Sequence, residues 1–417
     1  EFTATRGKEY FPLTRTVTVE NKPLDLRFRL RRWIDMAQRG WYSGETHVHR
    51  GLDELPLVQR AENLNVSFPL TYWVHAAFRP PSAGDRSTDR EVKPELIRID
   101  PTHVIYPLNT EYEITRVKDK RHMLGAFFIL NHETLFEQGA PPVTPIAEKA
   151  RREGALLELD KHNWPWSMML VPVMDVGLFE LANNHMWRTE FAFKGFGEPP
   201  PEYMKVETDA EGGYTERGWI TYGFRNYYAL LNCGFRMTPT AGTASGVHPV
   251  PLGFGRVYVN LPDGFSYDGW VDGLDAGRSF VTTGPMLFAT VNDRGPGHSF
   301  QQSGGSEGTY TVSGHVCSSH PLETVEIVVN GEVRKTIEPT NDGMDCGAYH
   351  SEIDADVKIR ESSWIAVRCF EERPGGRVRF AHTAPFHVEV PGRPLLPGPR
   401  EIEFLIQRME KQIERNT

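Results

Sequence analysis

From residue 41 to about 290, short apolar runs alternate with amphipathic helical patterns; past 298 only period-2 strands remain. That change of period is the feature that most limits the fold. The runs at 65–70, 125–130 and 154–159 read as buried parallel strands. Helices are predicted over 143–153, stopped by Gly154, and over 218–232, ending near Gly234. Strand and helix alternating in this way predict a barrel-like α/β domain.

The flanks differ. Residues 11–32 read as strands, because 16–19 and 24–30 alternate. A short helix is predicted over 33–39, ended by Gly40. Further on, Thr324–Val329 and Glu332–Ile337 flank Asn330-Gly331, the strongest short hairpin signal. With 364–368 and 386–390 they predict a small antiparallel sandwich over 298–392. After a Pro-rich link, 400–414 predict a charged amphipathic helix with apolar Ile402, Leu405, Ile406, Met409 and Ile413. The expected class is mixed α/β. An N-terminal β segment and lead-in helix fill 1–39, a distorted β/α barrel 40–292, a β-sandwich 293–395 and a terminal helix 396–417.

Composition narrows the function. Hydrophobic residues are 39% of 417, enough for an ordered core. Asp+Glu number 55 against 46 Lys+Arg, and a net charge of -9 argues against a nucleic-acid or anionic-membrane partner. No run nears the ~18 apolar residues of a membrane span. The chain opens abruptly at Glu1-Phe2, which fits a soluble protein whose export signal was removed upstream. Four cysteines (Cys233, Cys317, Cys346, Cys369) with no CxxC pair are too sparse for a disulfide scaffold or a cysteine zinc site. The oligomeric state is left open.

Histidine, at 15, is the notable count. His47 and His49 form an HxH, and on a strand both imidazoles face one side. Alone, such a pair also fits two surface histidines on an edge strand. Glu111 and Glu113 share a face in the same way, as do Asp160 and His162. Glu180 closes an apolar run, with Asn183, Asn184 and His185 just beyond, and His248 follows the Gly-rich loop 241–246. Each stands at or just after a predicted strand, where an α/β barrel carries its site. Carboxylates with imidazoles suit Zn, Mn or Fe. Ser245 lies in G-x-x-S-G, which is not a nucleophile elbow.

Gly44-Glu45-Thr46-His47-Val48-His49 resembles the opening motif of the PHP (polymerase and histidinol phosphatase) metallohydrolases. Gly40-Trp41-Tyr42-Ser43 and Arg50 are similar to the carbaryl-hydrolase-type branch. The resemblance spans roughly 33–290 and extends to 381–385. It implies a distorted seven-stranded barrel with two or three metals, cleaving phosphoesters, carbamates or amides. It makes His47 and His49 the first metal pair, with Asp53 or Glu54 next. Glu113 would bridge, with Glu111 as the register alternative. His122 resembles a histidine that follows it, and His162 the histidine after the next strand. Glu180 and Asn183 would border the site. Two positions depart from the pattern. Ala244 stands where the family has an aspartate, with His248 further on. Thr71-Tyr72-Trp73 replaces a second-strand motif, with His75 beyond it. One or two metals is then expected rather than three.

The leading expectation is a metal-dependent hydrolase acting on a small ester, amide, carbamate or phosphoester. His47, His49, Glu111 or Glu113, His162 and His248 would hold one or two divalent ions (Zn, Mn or Fe). Asp160, His185 or His122 would move the proton. The alternatives are a non-catalytic carbohydrate- or protein-binding module with a degraded metal site, favoured by Ala244, and a non-haem iron enzyme.

Overall fold

The strand that carries the HxH motif, Trp41–Val48, is buried along its whole length inside a twelve-stranded sheet. The computed structural model describes residues 1–84, 92–195, 199–303 and 306–416. On one side Trp41–Val48 pairs in parallel with Val66–Pro69, which continues to His103–Ile105. On the other it pairs antiparallel with Arg256–Asn260, then Ser279–Thr282, then Arg377–Thr383. The sheet therefore runs without a break from the HxH strand into the C-terminal β-rich part.

A second, seven-stranded sheet supplies the acidic residues. Its order is Thr238–Ala241, Leu178–Ala182, Leu156–Asp160, Lys120–Leu130, Thr110–Val117, Tyr72–Ala76, Ser82–Ala83. The two sheets meet beyond the HxH strand, where the His49 N–H donates to the Ser245 carbonyl (2.9 Å) and the Ala244 N–H to that of His47 (2.8 Å). Around the HxH strand the hydrogen bonds thus describe two separate sheets, of the four in the described residues, in a mixed α/β chain with six α-helices among them.

Several sequence expectations change here. The run at 125–130 is not parallel to its neighbours. It belongs to Lys120–Leu130, antiparallel to both Thr110–Val117 and Leu156–Asp160. A tight turn at Lys118-Asp119 returns the chain at once, and an apolar run reports burial rather than direction. Leu156–Asp160 is parallel only to Leu178–Ala182. The strands expected at 16–19 and 24–30 do not form; Leu13–Arg15 pairs with Phe2–Ala4, and the rest is largely exposed with no ladder partner. The lead-in helix is a single 3-10 turn, Ala37–Arg39. Helices Thr144–Arg152 and Glu216–Asn232 lie where their patterns put them, the second capped by the Thr215 side chain.

The C-terminal part packs the four-stranded antiparallel sheet of Met286–Val291, Gly308–Ser318, Asp342–Gly343 and Tyr349–Ile359 against the far end of the long sheet. The predicted hairpin forms, with Asn330 and Gly331 both at positive φ (51° and 82°), as its tight turn requires. One strand, Ser299–Gln301, is parallel to Phe386–Glu389, so the sandwich is not wholly antiparallel.

The terminal helix, Pro399–Asn416, departs most from its pattern. It buries Phe404, Arg408 and Gln412, while Ile402, Ile406, Met409 and Ile413 stay exposed. Arg408 can be inside because the carbonyls of Asn163 (3.2 Å) and Trp164 (3.0 Å) accept from it.

Candidate metal centre

Period 2 sends His47 and His49 to one side of their strand, facing the second sheet. There, strand register sets the acids in rows. Glu111 lies opposite Phe128, which lies opposite Glu158; Glu113 lies opposite Ala126, which lies opposite Asp160. Glu180 comes from Leu178–Ala182. The sheets can close this far because residue 242 is glycine: a Cβ there would collide with His47 and Glu180.

The two imidazoles meet through their Nε2 atoms, 3.2 Å apart. His49 Nε2 is 3.3 Å from the Glu111 carboxylate. Ligand atoms of His47, His49 and Glu111 all lie within 4.8 Å of one another, and all three residues are buried. Two nitrogens bound to one zinc-like ion at about 2.1 Å and a near-tetrahedral angle stand roughly 3.4 Å apart, so the donor set fits a divalent ion. Burial keeps both imidazoles neutral, pulling His47 and His49 down to about 3, which leaves lone pairs available.

Behind His47, Nδ1 sits 3.2 Å from both oxygens of Glu180. A donating Nδ1–H fixes the tautomer and turns the Nε2 lone pair toward His49 and Glu111. Burial, and then the neighbouring Asp160, push Glu180 well above the usual carboxylate range. Asp160 goes the other way: burial would raise it, but the Lys161 ammonium, His47 and a hydrogen bond from Glu180 together outweigh burial and hold it ionised. Glu180 and Asp160 therefore share a proton behind the histidine. His47, Asp160 and Glu180 make a second close group. His49 has no such support; its Nδ1 has no hydrogen-bond partner among the described residues.

Lys161 is the residue that pattern reading missed. It is 7% exposed, with Nζ on the Asp160 carboxylate and 3.4 Å from Glu113. Burial would lower its pKa, but Asp160, Glu113, Glu111 and Glu180 outweigh that and raise it. Glu113 also takes His75 Nδ1 at 3.1 Å. Burial would raise Glu113, yet Lys161 and His75 bring it to about 2, while burial and Glu113 push Glu111 to about 7. Glu111, the register alternative, therefore joins the histidines, and Glu113 faces the lysine.

Lys161 reaches the centre because its backbone is left-handed, φ 53°. That turn at the strand end sends His162 elsewhere. Its ring lies against Trp219 and Tyr222, with Nδ1 3.0 Å from the Asn226 amide. His162 is thus not brought to the other expected ligands. His185 is buried against Phe193 and Trp219, outside both groups. His248 is half-buried beside Trp187 and Phe193, also outside them. His122 is half-buried and bonds Asn416 at the far end of its strand, so it is not placed to carry a proton here. Asp53 is exposed and Glu54 pairs with Arg50 (3.4 Å). All four cysteines are free. Among the described residues no helix is long and apolar enough to cross a membrane.

No family model matches the chain, and no curated protein does. One solved structure is similar: a two-domain protein containing a predicted PHP-like metal-dependent phosphoesterase from Bacteroides vulgatus. It is 11% identical, with 79% of this chain and 90% of that one covered, at a TM-score of 0.34. A score of that size does not define a shared fold.

Proposed function

We propose that the protein is a metal-dependent hydrolase whose centre takes one divalent ion on His47, His49 and Glu111, from among Zn, Mn and Fe. The observation that carries this reading is the Nε2–Nε2 approach of two neutral histidines beside Glu111, with Glu180 holding His47 from behind. When bound, such an ion lowers the pKa of water toward neutrality and polarises a carbonyl or phosphoryl oxygen. The chain's own residues do the rest. Glu180 and Asp160 keep His47 in one tautomer. Asp160, the one proton-transfer candidate inside the cluster, is ionised and hydrogen-bonded to the protonated Glu180. Lys161 offers a fixed positive charge where negative charge develops on an oxygen.

Lys161 also bears on the metal count. Its ammonium occupies the carboxylate half of the centre, between Asp160 and Glu113, and takes the part of a second cation. The substrate is a small molecule: an ester, amide, carbamate or phosphoester. The motif resemblance to PHP metallohydrolases agrees with this reading, as does the alanine at 244, one acidic ligand fewer. The test is metal analysis of protein purified without chelator, followed by a panel of those four substrate classes. Stoichiometric metal and metal-dependent turnover are expected; full activity in metal-free protein refutes the reading. The buried lysine also favours a second reading, a metal-binding module without turnover, and bound metal with no hydrolysis of any panel member would select it.

A further inference from the structure

Away from the metal-centre histidines, four parts of the chain supply the cations around a cavity of about 310 Å³: the N-terminal segment at Gly7 and Lys8, the segment at Arg188, the 251–256 loop, and the C-terminal strands at Arg373 and Arg379. Lys8, Arg188, Arg256, Arg373 and Arg379 line it. In a chain with net charge -9, this is a local inversion of sign.

Among the described residues, two of these cations, Lys8 and Arg256, have no carboxylate within ion-pair distance, and Arg373 and Arg379 are only partly compensated. Arg256 is 1% exposed and donates only to neutral oxygens: the carbonyls of Gly253 (2.7 Å), Glu62 (3.2 Å) and Asn63 (3.3 Å). Lys8 Nζ donates to the Thr283 carbonyl (2.6 Å) and lies 4.5 Å from the centre of the Phe254 ring. Arg379 shares that ring at 5.0 Å. The carboxylate within ion-pair distance of it, Glu216 at 3.5 Å, is held bidentately by Arg377. Arg373 does have Glu371. Of the lining carboxylates only Glu62 remains, and it accepts from the Gly7 N–H (3.2 Å). Among the described residues Lys8, Arg188 and Arg256 enter no ion pair.

Buried charge without a partner costs several kcal/mol per ion. Burial and then Arg256 and Arg379 accordingly drive Lys8 well below its ordinary pKa, and burial, with Arg377 and Arg373 adding to it, brings Arg379 to about 10 despite Glu216. A guest bearing two negative charges removes that cost. The donors approach from four segments rather than as one fork, which suits tetrahedral oxygens better than a planar carboxylate. The volume is at the small end of ligand sites, so a phosphate carries at most a short organic group.

We propose that this cavity binds a tetrahedral oxyanion, either inorganic phosphate or the phosphate of a small monoester, and that the bound anion ties the N-terminal segment to the rest of the fold. The test is calorimetric titration of the full chain with inorganic phosphate and, separately, glycerol 3-phosphate, with melting curves alongside. One saturable site and a raised Tm are expected, and the tighter of the two ligands identifies the source. Arg188→Gln and Lys8→Met should each weaken binding at least tenfold. His49→Ala should leave it unchanged, which separates this cavity from the metal centre. Arg188 is exposed, so its variant keeps the test valid even if Lys8→Met disturbs folding. Three results overturn the proposal: no binding beyond a chloride control of equal ionic strength, equal binding of succinate, or binding lost in His49→Ala but kept in Arg188→Gln.

Discussion

Replacing Lys161 by methionine keeps the length of the side chain and removes its charge, and the structure fixes what that should do. The ammonium sits 3.4 Å from Glu113 and closer to Asp160. At an effective dielectric of 20, one such pair at 3.4 Å is worth about 5 kcal/mol. The wild-type chain directs that energy into an internal ion pair, and a second metal must displace it. In Lys161→Met the same two carboxylates have no cation. A divalent ion that replaces the lost charge should bind there more than a thousandfold tighter than in the wild type, at about 1.4 kcal/mol per decade. Elemental analysis should then read one metal per chain in the wild type and two in Lys161→Met. Without metal the variant leaves buried carboxylates unpaired, at about 3–5 kcal/mol, so its Tm should fall by roughly 5–10 °C and recover when Zn or Mn is added. Two metals in the wild type, or one in both proteins, would refute the reasoning. Zero in both would instead sink the metal-centre reading itself.

Other substitutions test neighbouring parts of the argument. His47→Ala and His49→Ala should each lose the bound metal and all turnover with circular dichroism unchanged, because the scaffold is preformed; unfolding of both would mark the pair as structural. Glu180→Gln keeps the shape but weakens the hold on His47, and metal affinity should drop 10–100-fold in a chelator competition; unchanged affinity would deny it that role. His382, far along the long sheet, tests a stability effect. Burial pulls it down to about 3, with Nδ1–H on the Thr383 carbonyl and the Tyr228 hydroxyl on Nε2 (2.8 Å). The unfolded chain takes up a proton below about 6.5 and the folded one does not until about 3. Stability is therefore full above that upper value and lost as pH falls, at up to ~1.4 kcal/mol per unit. Urea melts of His382→Gln between pH 7 and 4 should show a shallower loss than the wild type; parallel curves would contradict this.

What could be read from the chain alone was local. The HxH pair needs only the strand's period of 2, whereas Glu111 and Glu113 share one face in the sequence pattern and only the fold sets Glu111 beside His49 and Glu113 beside Lys161. The turn at Asn330-Gly331 is a two-residue property and was equally legible. Direction was not, since 125–130 is apolar whichever way its neighbours run. Nor was the terminal helix, whose apolar pattern pointed to Ile402 and Ile406 while the fold buries Arg408 on carbonyls supplied from 245 and 244 residues away in sequence.

The largest miss, His162 for Lys161, comes down to one torsion. With ordinary strand geometry at 161, alternation sets 160 and 162 on one face, and His162 follows Asp160 into the centre. A left-handed residue there breaks the alternation, and lysine gives no sign of it: outside Gly, Asn and Asp such a conformation costs about 1–2 kcal/mol. That cost has to be met by something the lysine gains. The contacts with Asp160 and Glu113, each worth more than the strain, are the gain visible in this structure. Strain and ion pairs then depend on each other. A lysine freed from those two carboxylates has no reason to stay left-handed, so Lys161→Met should relax this turn as well as open the second cation position.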